Sequence, residues 1–297
     1  MKNLEFLRQL FEVEENTNVS SDFEPAISID HTSRIAQNIN SLRRALGITE
    51  MTPMAEGTVV KRYKTTVTKA ASQAAEGDVI PLSKTDRKAL PDLTLTLGKY
   101  RKLTTAEAIQ KNGRAHALNE SDEKLLGEIR KDVKKSFFSM ITGGTGTAAG
   151  GGTLQMAAAQ AWASLQVYYE DMDVTPVFFV NPLDVASYLG DASISTQTAF
   201  GFSYVENFLA MGNAFITPQV TQGNVYATVT ENLNGVYIPA NGDLSDTFGL
   251  TFDESGLVGM THTLAADRAS IQTLILTGVL FYPEDASGIF KSAIAGE

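Results

Sequence analysis

The chain has 297 residues, a formal net charge of −10, 43% hydrophobic residues and no cysteine. That length and apolar share suffice for one large domain or two small ones with a real core, and they exclude general disorder. The lack of cysteine excludes disulfides, thiol nucleophiles and Cys-ligated metal, and it fits a reducing compartment.

The first 56 residues carry five cations and nine anions. The opening MKNLEFLRQLFEVEEN lacks the unbroken apolar stretch of an export signal, and no apolar run approaches the roughly 18 residues of a membrane span. Leu4, Leu7, Leu10 and Phe11 recur at helical spacing. A second short helix is predicted from Ser33, with Ile35, Ile39, Leu42 and Leu46 on one face and Gly47 as its stop. Two such helices cannot form a domain alone, so residues 1–50 read as an arm that packs onto something else.

From Gly57 the hydrophobic period changes to two. GTVVKRYKTTVT (57–68) and LTLTLGKYRK (93–102) are predicted as strands, separated by some 25 residues that include Gly77, Pro81 and Pro91. Two strands of about 10 residues would make an arm about 33 Å long. Residues 57–104 hold ten cations against four anions, a net of +6, whereas residues 143–297 stand at −13 and keep only Arg268 and Lys291 as cations. An acidic body repels nucleic acid, which disfavours sequence-reading of DNA. The same asymmetry suggests that the arm of one copy lies on the body of another. Its candidate contact residues are Lys61, Arg62, Lys64, Arg87, Lys88, Lys99 and Arg101.

Thr104 and Glu107 have capping-box spacing for a short helix that Gly113 ends. Asn119 or Ser121 then caps a long helix to about Ile141. Its core face is Leu126, Ile129, Val133 and Phe137, broadened by Leu125 and Phe138. Glu120, Asp122 and Glu123 suit the helix dipole at its start, and Lys131, Lys134 and Lys135 lie toward its end. The run GGTGTAAGGG (143–152) reads as a flexible joint into an α/β region. There Thr153 caps a helix to about Tyr169, residues 176–180 (PVFFV) form a buried strand, and Asn181 with Pro182 starts another helix that Gly190 ends. Strands are predicted at 215–220, 225–230 and 236–239, and a strongly apolar one at 273–282 returns to the core.

No catalytic constellation emerges from these elements, and no cofactor is expected. The glycine run follows a helix rather than a strand, and no lysine occurs between Lys135 and Lys291 to meet a phosphate. His31, His116 and His262 form no metal-ligand pair, and solvated or capping roles are expected of them. No GxSxG elbow occurs, and DESG (253–256) lacks its leading glycine. The acid groups at Glu170, Asp171 and Asp173 and at Asp253 and Glu254 sit in predicted loops, and Trp162 reads as core or interface.

The order of these parts resembles the major capsid protein of tailed bacteriophages with the Hong Kong 97-like fold. ALGITEMTPMAEGTVVKRYK (45–64) is similar to the family's approach to its extended loop, and NESDEKLLGEIRKDVKKSFF (119–138) to its spine helix. TPVFFVNPLDVASYLGDASISTQTAFGFSYVENFL (175–209), VTENLNGVYIP (229–239) and DESGLVGM (253–260) resemble its axial domain and the return to its peripheral domain. The resemblance implies an α+β fold with an N-terminal arm at 1–50 and an extended two-stranded loop at 51–104. A peripheral domain with the spine helix would take 105–149 and 251–297, and an axial α/β domain 150–250. It further implies a non-enzymatic subunit of a virion capsid, assembled in the host cytoplasm from pentamers and hexamers. Its partners would be a separate scaffolding protein, a portal protein and DNA packaged without sequence-specific contact, with no membrane. The alternatives are an encapsulin-like compartment shell and, from another class, a nucleotide-binding enzyme using the 143–152 run.

Overall fold

The computed structural model describes residues 51–70, 79–114, 116–170, 173–191, 197–199, 202–252 and 256–294. The two helices expected within 1–50, His31, the tip of the arm at 71–78, and Asp171, Asp253 and Glu254 lie outside the described residues.

The chain begins with β1 (Met51–Pro53), β2 (Val59–Val60), β3 (Tyr63–Thr68), β4 (Lys84–Ala89), β5 (Leu93–Thr94) and β6 (Gly98–Thr105). The arm is two-stranded, but its pairing differs from the expectation. β3 pairs antiparallel with β4, from Tyr63↔Ala89 to Thr68↔Lys84, in the segment the sequence assigned to a loop. Every residue of β4 is exposed, so no apolar alternation marks KTDRKA as a strand. The alternation at 93–97 reports burial at the foot of the arm instead. Leu95 packs in a small core with Val60, Val236 and Ile238, while β5 pairs only with β2. β6 leaves the arm altogether.

Next come α1 (Ala106–Asn112), a π turn (His116–Glu120) and α2 (Ser121–Thr142). The cap of α1 is one residue later than expected: the Thr105 hydroxyl accepts from the Ala108 N–H at 3.4 Å, while Thr104 is still buried in β6. Neither Asn119 nor Ser121 caps α2. The Ser121 hydroxyl donates back to the Ala117 and Leu118 carbonyls, because the π turn runs into the helix and supplies its first partners. The predicted stripe is otherwise inward, with Leu126, Ile129 and Phe137 buried and Val133 packed against the same core.

The rest of the chain runs through β7 (Gly146–Thr147), α3 (Leu154–Tyr168), β8 (Pro176–Val180), α4 (Pro182–Asp191), β9 (Gln197–Ala199), β10 (Phe202–Phe208), β11 (Gly212–Ile216), β12 (Asn224–Val229) and β13 (Leu233–Tyr237). It finishes with α5 (Asp243–Phe248), β14 (Thr251–Phe252), β15 (Val258–Ala265), β16 (Ser270–Thr277), β17 (Val279–Pro283) and β18 (Phe290–Ala293). Thr153 and Asn181 receive the Met156 and Leu183 N–H groups, so both predicted caps are in place. The single apolar strand expected at 273–282 is two. Ile238 crowds Gly278, where a Cβ would come within 2.7 Å of its side chain, and the strand changes sheets there.

A seven-stranded sheet, ordered β7-β18-β12-β8-β11-β10-β9, has a helix on each face. Val177 and Phe179 of β8 join the core of α2, with Phe137, Phe138 and Ile141; Phe178 and Val180 join that of α3, with Ala157, Ala161 and Leu165. Four-stranded β14-β15-β16-β6 and three-stranded β1-β13-β17 complete the body. The sheets therefore interleave along the chain: β18 enters the large sheet from near the C-terminus, and β13 pairs with β17 outside it.

The glycine run is a packed strand rather than a joint. β7 pairs parallel with β18, and a Cβ on Gly146 would lie 2.6 Å from the Ile289 carbonyl oxygen and 2.7 Å from that of Ser287. Gly144 and Gly151 are equally crowded, by Ile289 and by Met156 with Ala157. Close backbone approach is what requires glycine here. Gly146→Ala should therefore destabilise the protein by about 1–3 kcal/mol, the cost of overpacking a filled site. Urea denaturation measures it, and an unchanged midpoint would contradict the packing argument.

Candidate functional site

The β3–β4 hairpin spans about 20 Å at roughly 3.3 Å per residue and pairs with no other described strand. Its surface combines two features that seldom share a solvated hairpin. Lys61, Lys69 and Lys88 are exposed and make no ion pair among the described residues, and Lys84 pairs only with Asp86 at 2.7 Å. Val67, Val79, Ile80 and Leu82 are 63%, 92%, 76% and 95% exposed. Exposed branched apolar groups beside unpaired cations are the makings of an adhesive surface.

At its foot the hairpin is clasped to the body of its own chain. Arg62 donates through Nη1 to the Pro283 carbonyl at 3.0 Å and through Nη2 to that of Pro91 at 3.3 Å. Lys64 Nζ donates to Ser287 Oγ at 3.0 Å and lies 3.5 Å from Asp285 Oδ2, which also accepts from the Tyr168 hydroxyl. Burial opposes the Lys64 charge, but Asp285 and Tyr168 outweigh it and hold its pKa above the usual value. Burial likewise works against the Asp285 carboxylate, yet the Tyr168 and Ser287 hydrogen bonds and the Lys64 charge keep its pKa low. Arg87 stacks on the Tyr63 ring, 3.8 Å from its centroid.

The seven cations expected to act as one contact surface are thus divided. Lys61 and Lys88 face solvent on the arm. Arg62 and Lys64 are engaged in the clasp, and Arg87 is stacked on Tyr63. Lys99 and Arg101 are exposed, but on β6, which pairs with β16 from Gly98↔Thr277 to Thr105↔Ser270 as an edge of the body sheet.

A buried polar cluster was not anticipated. Asp122, expected to serve the helix dipole, is fully buried and accepts from Lys102 Nζ and from Thr273 Oγ1 at 3.1 Å, while His262 Nε2 lies 2.9 Å from its other oxygen. The His262 side chain is 5% exposed, which corrects the solvated role expected of it. The signal was in the spacing: Asp122 stands four residues before Leu126, on the buried stripe itself. The cluster ties the first turn of α2 to β6, β15 and β16. Burial alone would raise the Asp122 pKa, but the His262 and Lys102 hydrogen bonds and the Lys102 charge hold it below its ordinary value.

Because the folded value lies below the unfolded one, near about 3.9, this carboxylate stabilises the fold above that pH and stops doing so as pH falls through its lowered value. Asp122→Asn should cost about 3 kcal/mol near neutral pH, the low end for a broken buried pair because Lys102 keeps some solvent access. It should also flatten the acid side of the stability–pH curve. Urea titrations of both proteins from neutral pH to about pH 3 measure this; parallel curves would refute the assignment.

No family model matches the sequence, and comparison with curated proteins finds no match. Solved structures do match. The capsid of the Cyanophage P-SCSP1u aligns with a TM-score of 0.54 at 9% identity, over 98% of this chain and 95% of that one. The holo-SrpI encapsulin from Synechococcus elongatus PCC 7942 gives 0.51 at 10%, over 98% and 95%. The virus-like particle from Pyrococcus furiosus gives 0.50 at 13%, over 89% and 97%. Likeness at such identities is one of fold. The chain has the α+β Hong Kong 97-like fold of capsid and encapsulin shell proteins.

Proposed function

We propose that this chain is the major capsid protein of a tailed bacteriophage, a structural subunit that assembles with copies of itself into an icosahedral shell around DNA. The observation that carries the reading is the exposed basic hairpin with its apolar flank, on a chain whose fold matches a cyanophage capsid protein over nearly its whole length. An acidic body and a basic arm on every copy favour a head-to-tail contact, the kind that closes into rings. In this reading the arm lies over the adjacent subunit and residues 150–250 gather around the axes of pentamers and hexamers. Residues 105–149 and 251–297 form the peripheral part, except that β7 and β18 from these ranges are strands of the seven-stranded sheet. Residues 1–50, a separate scaffolding protein and a portal protein take part in assembly, which runs in the host cytoplasm and ends in the virion.

An encapsulin-like compartment is the second reading, favoured by the equally complete match to the Synechococcus encapsulin. Electron microscopy of the purified particles separates the two, since small uniform shells loaded with protein would favour the compartment. The nucleotide-binding alternative loses its site, because the backbone of Gly144, Gly146 and Gly151 is packed against protein and leaves no cradle for phosphate.

The clasp decides which charges can test the arm. Reversal of Arg62 or Lys64 would disturb the foot within one chain, whereas Lys61 and Lys88 make no ion pair among the described residues. Lys61→Glu with Lys88→Glu should leave subunit stability within about 0.5 kcal/mol of the parent while sharply lowering the yield of shells. Parent assembly should weaken as salt rises, because exposed charges are screened over about 8–10 Å. Normal shells from the double variant, counted by electron microscopy, would sink the idea that these charges act between copies.

A further inference from the structure

Three asparagines are each followed by a glycine, at Asn112–Gly113, Asn234–Gly235 and Asn241–Gly242. That pair is chemically labile. Glycine has no Cβ to shield its amide nitrogen, so the nitrogen can attack the side-chain carbonyl carbon of the asparagine before it. Attack requires that the nitrogen donate no hydrogen bond and that the asparagine amide be able to turn toward it.

The fold treats the three pairs differently. At the end of α1 both reacting groups are tied: the Gly113 N–H donates to the Ile109 carbonyl at 2.8 Å, and Asn112 Nδ2 donates to the Ala108 carbonyl at 3.2 Å. Gly235 is buried in the middle strand of the three-stranded sheet, paired with Met51 of β1 and Phe281 of β17. A ring could close there only if β13 left its neighbours. Asn241 and Gly242 instead stand exposed in the turn between β13 and α5. Among the described residues neither the Asn241 amide nor the Gly242 N–H has a hydrogen-bond partner. Even a Cβ built on Gly242 would meet nothing within 4 Å, so solvent base can reach the nitrogen. The turn is anchored on either side of the reacting groups. The Ala240 N–H donates to the Gly256 carbonyl at 2.7 Å, and the Gly242 carbonyl accepts from the Asp246 N–H at 3.0 Å and the Ser245 hydroxyl at 2.8 Å.

We propose that Asn241 is a self-modifying site, converting through a succinimide to aspartate and isoaspartate while the protein stays folded. The Gly242 nitrogen gives its proton to solvent base and bonds to Asn241 Cγ. The Cγ–Nδ2 bond then breaks, and Nδ2 leaves as ammonia with a proton from water. Water opens the ring at either carbonyl, returning the proton to the Gly242 nitrogen or leaving the chain joined through the former side chain. Both products place a new carboxylate beside Asp243 and Asp246 in the first turn of α5. Isoaspartate also lengthens the main chain by one atom between two anchored points. This inference does not depend on the shell reading.

The test uses full-length protein held folded in mildly alkaline buffer, sampled over days and mapped by peptide mass spectrometry with enzymatic labelling of isoaspartate. Conversion at Asn241 should outpace that at Asn112 and Asn234 by about tenfold or more, the ratio expected where a hydrogen bond must break before attack. It should quicken as pH rises, because the attacking nitrogen must lose its proton. In urea, with the chain unfolded, the three sites should convert at similar rates, and Asn241→Gln should remove the folded-state product. Folded protein that leaves Asn241 intact while the unfolded chain converts it would overturn the proposal. So would Asn112 or Asn234 keeping pace with Asn241 in the folded protein.

Discussion

The structure depends on one strand that must be apolar on both faces. β8 sits inside the seven-stranded sheet with Val177 and Phe179 toward α2 and Phe178 and Val180 toward α3, all four at 1% exposure or less. Side chains buried to that extent contribute about 1.5–3 kcal/mol each, as an upper estimate against an extended chain. Because the two helices meet the same strand from opposite sides, the spine and the α/β region cannot move apart without exposing one face. Phe179 makes the connection explicit, stacking on Phe215 within the sheet and meeting Phe137 and Phe138 edge-on from the helix. The glycines of 143–152 follow from this constraint. The chain must pass from one face to the other beside the closing strand β18, and only a backbone without side chains fits against Ile289 and Ala293.

A core closed in this way leaves the hairpin outside. Among the described residues β3 and β4 pair only with each other, and two strands alone are marginal in water. The clasp at Arg62 and Lys64 fixes the base of the hairpin, and Leu95 with Val60 anchors the segments below it. Beyond that point the body gives the hairpin little support. In the proposed shell a neighbouring copy would supply the surface that orders it, which is why its exposed cations and branched residues belong to one argument.

Elements with one buried face were legible in the sequence. The stripe Leu126, Ile129, Val133 and Phe137, the run PVFFV, and the caps at Thr153 and Asn181 are local patterns with local causes. What escaped had no such pattern. KTDRKA is wet on both faces, so its strand character lies only in its pairing with β3. The partition of 93–105 between the arm's foot and the body sheet depends on β16, some 170 residues later. Asp122 is the instructive middle case. Its position on the buried stripe was visible, but its partners Lys102, Thr273 and His262 come from three separate strands, and one sequence cannot show that they converge. The charge asymmetry between arm and body was plain from composition, yet which of those cations are engaged within the chain is visible only in the clasp.

In the proposed shell a subunit must stay dispersed alone and adhere in company, and the hairpin's mix of cations and apolar groups would meet both demands. Exposed ion pairs contribute only about 0–1 kcal/mol each and fade with salt, so charge alone cannot hold copies together. Apolar contact adheres well but does not discriminate, and an acidic body at −13 would keep copies apart if it met another acidic body. Placing the cations beside Val67, Ile80 and Leu82 makes the adhesive surface usable only against a carboxylate-rich patch. The charges choose the partner and the register, while the apolar groups supply the area. In such a shell every copy would repeat the contact, so individually weak interactions would gain by multiplicity what they lack in strength.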